Sequence, residues 1–182
     1  ERTGVVQRAR LLDAVLTDLY GERRSITSGI LPPQLLFGHP GYIRAARGMQ
    51  NPGRHQLFML GCDISRAGDG RFLVNADRTQ APSGAGYALA DRRVVARAIP
   101  DIYERIGPRP ASPFAQSLRL ALIDVAPATA EDPVVVVLSP GIHSETAFDQ
   151  AYLATVLGFP LVESADLVVR AEIGAVLGRL AG

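Results

Sequence analysis

Leu73-Val74-Asn75-Ala76-Asp77-Arg78-Thr79-Gln80-Ala81-Pro82-Ser83-Gly84-Ala85-Gly86-Tyr87-Ala88-Leu89-Ala90-Asp91-Arg92 is the stretch whose reading decides the fold. An apolar run ends in an acid-plus-arginine pair, Asp77-Arg78, passes through a Pro-Ser-Gly-Ala-Gly turn, and returns to an apolar segment closed by Asp91-Arg92-Arg93. The pattern predicts a polar loop at a strand end, where a scaffold can carry groups that a core would not accept. Asp77 has the oxygens to hold a divalent cation. Arg78 has the fork to hold a phosphate or a carboxylate. Ser83, Gly84 and Gly86 can turn successive backbone N–H groups toward an anion. A local Asp77–Arg78 pair on a plain Pro-Ser-Gly turn fits the same spacing equally well, because a lone glycine-rich turn is weakly specific.

Working back from that loop, two β-type runs, 55–66 and 71–77, flank Ala67-Gly68-Asp69-Gly70. Asp-Gly favours the positive backbone angles of a tight turn, so the segment predicts an antiparallel hairpin whose second strand delivers Asp77 and Arg78. Cys62, among Phe58, Met59, Leu60 and Ile64, reads as a small buried hydrophobe with no disulfide partner. Residues 26–48 are broken by Gly29, Pro32, Pro33, Gly38, Pro40 and Gly41, which predicts short elements and turns, with His39 bonding backbone in one of them. Residues 5–20 carry Val5, Val6, Ala9, Leu12, Val15, Leu16 and Leu19 at helical spacing, with Arg8, Arg10, Asp13 and Asp18 on what reads as a solvated face.

Working forward, residues 91–106 predict a helix with Asp91 as its N-cap, kinked or split at Pro100, which lacks an N–H and crowds the preceding turn. Gly107-Pro108-Arg109-Pro110 is the best linker. Beyond it, helix (114–126), strand (134–138), helix (146–157) and strand (160–163) alternate, which predicts a βαβ arrangement with a parallel sheet. Its polar turn, Ser139-Pro140-Gly141-Ile142-His143-Ser144-Glu145, follows a strand's carboxyl end, the edge where open α/β sheets bind ligands. Ser144 or Thr146 is the expected cap there, with Glu145 near the positive end of the helix. A last short helix is expected over 172–180.

The fold class expected is therefore α/β, with an α+β segment carrying the hairpin and loop over 1–110 and a small parallel α/β unit over 111–182. The 182 residues are 47% apolar, enough for a real core. The net charge of +1 gives no electrostatic argument for nucleic acid. No apolar run reaches the length of a membrane span and no leader pattern is visible, so a cytoplasmic setting is expected by default. All nineteen basic residues are arginine, so anions must be held by guanidinium groups, backbone N–H groups or helix ends.

Several stretches together resemble the circularly permuted ATP-grasp proteins, in particular the type 2 group, related in fold to glutathionylspermidine synthetase. They are Arg8–Leu16 with Asp18-Leu19-Tyr20-Gly21; Gly29-Ile30-Leu31-Pro32-Pro33; Phe37-Gly38-His39-Pro40-Gly41; Ala76–Leu89, the most specific; Ser139-Pro140-Gly141 with His143 and Glu145-Thr146; and Tyr152-Leu153-Ala154 with Leu157–Glu163. The resemblance implies part of an ATP-dependent carboxylate–amine ligase acting through an acyl phosphate, with ATP and Mg2+ as cofactors and small-molecule or peptide acids and amines as substrates. It places Asp77, Arg78, Gln80, Ser83, Gly84 and Tyr87 at the nucleotide, with Arg78 catalytic and Asp77 the metal ligand. His143 and Glu145 would face the substrate. Type 1 relatives carry Glu-Asp-Asn where this chain has Ala76-Asp77-Arg78, and family members continue past the segment matching Arg170. This chain alone is therefore expected not to complete a ligation cycle. The alternative is a nucleotide-binding or assembly module without turnover. No oligomeric preference is legible.

Overall fold

The computed structural model describes residues 2–49, 53–126 and 132–168. The helix expected over 172–180 lies outside them. The fold is mixed α/β, with an antiparallel hairpin and a parallel pair of strands among the described residues. The chain divides into two compact units, Glu1–Pro82 with Ile123–Pro133, and Ser83–Leu122 with Val134–Gly182. The boundary expected at 110/111 differs from this grouping, in which the helices after Ser83 join the later elements.

In the first unit, α1 (Arg2–Tyr20) follows the apolar spacing. It ends where the Asp18 carbonyl accepts N–H groups from Gly21 and Arg23, and the Asp18 carboxylate takes the amides of Arg24 and Ser25. That carboxylate starts α2 (Arg24–Thr27), and α3 (Pro33–Phe37) opens on a proline, whose missing N–H costs nothing at a helix start. His39 Nδ1 accepts the Gly41 N–H at 3.0 Å, so it bonds backbone as expected. The hairpin pairs β1 (Gly61–Arg66) with β2 (Phe72–Arg78) in antiparallel register. β1 begins six residues later than its apolar run. Gly70, at φ 85, closes the turn by donating its N–H to the Ala67 carbonyl. An irregularity between Asp63 and Ile64 shifts the register, setting Cys62 opposite Asp77 and Asp63 opposite Ala76.

In the second unit, α4 (Ala85–Ala98) and α5 (Pro100–Ile106) are separated at Ile99, the break that Pro100 predicts. α4 starts six residues before the sequence-based estimate. Asp91 is thus inside a helix and not its N-cap; Gly84, at φ 112, holds that position. α6 (Ser112–Asp124) precedes β3 (Val137–Ser139), which α7 (Ala147–Leu157) joins to the parallel strand β4 (Leu161–Glu163). This is the expected βαβ unit with shorter strands. Leu89, Ala115 and Leu157 form its core, with Leu118, Leu122 and Phe159 packed around them. Arg119 covers the Phe159 ring and donates to the Leu157 carbonyl at the end of α7.

Candidate functional site

Successive residues of a strand point to opposite faces, so Asp77 and Arg78 cannot share a partner. Asp77 faces Cys62 across the hairpin and receives Arg8 from α1: Arg8 Nε lies 2.7 Å from both carboxylate oxygens, and Nη2 lies 2.6 Å from Oδ2. The Cys62 thiol reaches Asp77 Oδ1 at 3.6 Å. Arg78 forks onto Asp63, with Nε 3.2 Å from Oδ1 and Nη2 3.0 Å from Oδ2. Asp77 and Arg78 do not pair with each other; each is held by a different partner. Arg8, expected on a solvated face, is thus engaged by Asp77, and the partner that gives Asp63 its role lies fifteen residues away, outside any local sequence pattern.

The charges follow the geometry. The hydrogen bond from Arg8 holds the Asp77 carboxyl below the usual carboxylate range, against a smaller opposing effect of desolvation. Desolvation, reinforced by the Asp77 bond, pushes the Cys62 thiol up, so it is a poor thiolate. It is half-buried and bonded to an acid, not the buried apolar residue that its neighbours suggested.

Between Arg78 and the second unit the chain passes Gln80, exposed, and Ala81, which at φ 42 adopts a left-handed conformation directly before Pro82. Such a conformation costs a residue with a β-carbon of order 1 kcal/mol.

Ser83, Gly84 and Tyr87 belong to the second unit, where Gly84 caps α4. The anion at these amides is internal. Asp149, in the first turn of α7 and 2% exposed, accepts the Gly84 N–H at 2.9 Å and the Tyr87 N–H at 3.0 Å. A β-carbon on Gly86 would strike the Asp149 carbonyl oxygen and approach Oδ1 to 2.8 Å, so only glycine fits there. Tyr87 also donates its hydroxyl to the Glu145 carbonyl at 3.3 Å and stacks on Phe148. The predicted nucleotide residue Tyr87 and the predicted substrate turn are thus in contact, through Glu145 backbone and not its carboxylate. His143 and Glu145 are exposed on that turn. It is braced from within: Gly141 donates to Ser139 Oγ at 3.0 Å, and Ser139 Oγ donates to Gln150 Oε1 at 2.5 Å. Thr146 occupies the N-cap position of α7 without bonding its amides; Ser144 Oγ instead accepts the Thr146 N–H at 3.3 Å.

A family described as a circularly permuted ATP-grasp matches residues 1–176. The chain belongs to that family. Among individual relatives of the ATP-grasp chain, the uncharacterized protein Rv2567 of Mycobacterium tuberculosis is 75% identical over 167 residues, covering 92% of this chain and 19% of that protein. The uncharacterized protein sll0335 of Synechocystis is 35% identical over 91% of this chain and 34% of its own length. The uncharacterized protein Rv2411c of Mycobacterium tuberculosis is 33% identical over 92% of this chain and 30% of its own length. This chain therefore spans between about a fifth and a third of these relatives.

ATP-grasp membership brings ATP and magnesium to the site as an expectation, and the donor set tests it. Both Asp77 oxygens are taken by a guanidinium, and Asp63 is taken by another. Among the described residues no three His, Cys, Asp or Glu side chains gather as metal ligands. As folded, the hairpin end does not fit a resident magnesium ion. Nor is any described helix long and apolar enough to cross a membrane.

Proposed function

We propose that this chain forms part of an ATP-dependent carboxylate–amine ligase. In that reaction a carboxylate oxygen attacks the γ-phosphorus of ATP and ADP leaves. An amine then attacks the acyl carbon, phosphate leaves and the amine nitrogen gives up a proton. The observation that carries the reading is the Ala76–Leu89 stretch of an ATP-grasp chain, which ends a hairpin on two arginine–aspartate pairs and runs into the amide-rich start of α4. Phosphoryl transfer asks a protein chiefly to position phosphates and neutralise charge. Arg78, at 59% side-chain exposure, can exchange Asp63 for a phosphate oxygen at little cost, which suits it to the catalytic role. We assign charge neutralisation to Arg78, with Arg8 held on the opposite face of β2 by Asp77. Asp77 is then the residue that orients Arg8, and it meets a cation only if Arg8 withdraws. Gln80, Ser83, Gly84 and Tyr87 remain the proposed nucleotide contacts, and His143 and Glu145 the proposed substrate contacts.

One observation favours a second reading, a nucleotide-binding or assembly module without turnover. The Gly84 and Tyr87 amides already hold the Asp149 carboxylate, so a phosphate there must displace a buried acid.

Thermal melting tests both. A ligand at about 100 times its Kd stabilises the folded state by about 2.7 kcal/mol, a rise of several degrees. We expect ATP to raise the midpoint without added metal and Arg78→Ala to abolish the rise. A rise that requires magnesium would overturn the arginine assignment. No rise in either condition would favour the assembly module.

A further inference from the structure

The second unit carries a groove of about 360 Å3 beside α4, and none of the proposed nucleotide or substrate residues lines it. Leu89, Ala115 and Val156 are among the residues that give it an apolar surface. Its polar side chains point to one kind of ligand. Arg92 and Arg93 bring two guanidinium groups, Tyr103 and Tyr152 bring two phenol hydroxyls, and among the described residues no acidic side chain lines the groove. The guanidinium of Arg92, half-buried, makes no hydrogen bond or ion pair with another described residue. Arg93 Nη1 donates to the Tyr152 hydroxyl oxygen at 3.2 Å, which leaves the hydroxyl proton of Tyr152 free to donate onward. Ala111 and Ser112, at the start of α6, close one wall, so the positive end of that helix dipole adds to the same sign of potential.

A groove of this size, apolar with a few convergent donors, has the build of a small-molecule site. We propose that it binds an amphipathic anion, a small molecule with an apolar body and one carboxylate. The body lies on Leu89, Ala115 and Val156, and the carboxylate takes the free fork of Arg92 with the Tyr152 hydroxyl. A guanidinium in an apolar surround gains more from such a partner than from water, because charge-assisted bonds strengthen as the dielectric falls. The site needs neither ATP nor the hairpin residues, so it stands or falls apart from the ligase reading. Tyr152 also stacks on Phe148, which stacks on Tyr87, so occupancy of the groove would be felt at the loop that Tyr87 anchors.

The test is an NMR titration of the 182-residue chain with 4-phenylbutyrate and, separately, with its uncharged counterpart 4-phenylbutan-1-ol, in the absence of nucleotide. We expect saturable shifts at the Ala96, Tyr103 and Tyr152 amides with a Kd of about 1 mM or tighter for the acid. The alcohol and the Arg92→Gln variant should each bind about tenfold more weakly, as loss of one charge-assisted contact requires. An unchanged amide spectrum away from α4 confirms that the substitution leaves the fold intact. The absence of saturable shifts with wild-type chain, equal affinity for acid and alcohol, or equal affinity of wild type and Arg92→Gln would each overturn the proposal.

Discussion

Asp149 ties the start of α4 to α7 through the Gly84 and Tyr87 amides. An acid in the first turn of an apolar helix ordinarily complements the dipole of that helix. Here its oxygens instead serve the neighbouring helix, taking two of the N–H groups that α4 leaves without intrahelical partners. The contact leaves no room above Gly86. Asp149→Ala should therefore cost about 1–3 kcal/mol in a urea melt, since it leaves the part-buried Gly84 and Tyr87 N–H groups without their acceptor. Gly86→Ala should cost a similar amount by collision with backbone that has no rotamer to yield, roughly 1–3 kcal/mol. Asp149→Asn keeps the side-chain shape and one oxygen acceptor, and should fall between wild type and Asp149→Ala. Equal stability of all four chains would show that the cap contributes nothing. None of this was legible in the sequence. The glycines announced a special backbone, but the partner that explains them lies 65 residues along the chain. The same blindness hid Arg8, which is 69 residues from Asp77.

The elements themselves were more readable, because their signals are local. Proline at position 100 divides two helices, Asp69-Gly70 turns a hairpin, and strand–helix–strand in the last third gives a parallel pair. The reading failed at element ends: β1 starts late and α4 starts early, since an apolar run says what is buried without saying where pairing begins. The hairpin also carries a pH dependence that follows from its partners. Asp77 is held low by Arg8, and Asp69 in the turn is held low by the Arg71 amide and guanidinium. A carboxyl whose folded value lies below its unfolded value contributes stability above the unfolded value and loses it as pH falls through the folded one. The unfolded reference here is 3.8, so the contribution is present above about pH 4 and disappears on further acidification. The hairpin should loosen below about pH 4, seen as faster amide exchange in β1 and β2 once corrected for the intrinsic rate. Asp77→Asn should flatten that profile. An unchanged acid profile in this variant would show that the Arg8 pair is not coupled to folding.

At the scale of the molecule, composition promised more core than the described residues build. Among the described residues the buried apolar side chains are Leu36 in the first unit and Leu89, Ala115, Ala154 and Leu157 in the second. Meanwhile Ile30, Met49, Val94, Ile106 and Ile142 are each more than 60% exposed. An apolar count fixes what could be buried; the topology decides how much finds a second layer to pack against. With so few buried side chains, each one carries a large share of the cooperative structure. Leu157, 3% exposed at the end of α7, touches the cluster that joins α4, α6 and α7. Leu157→Ala should cost about 2–5 kcal/mol, comparable with the entire stability of a marginal domain. The expected outcome is loss of hydrogen-exchange protection throughout α4, α6 and α7 at 25 °C, whereas Val94→Ala, on an exposed face, should leave protection within about 0.5 kcal/mol of wild type. Protection retained in all three helices of Leu157→Ala would mean that the unit draws its stability from contacts other than this cluster, with the backbone caps at Gly84 and Tyr87 the first place to look.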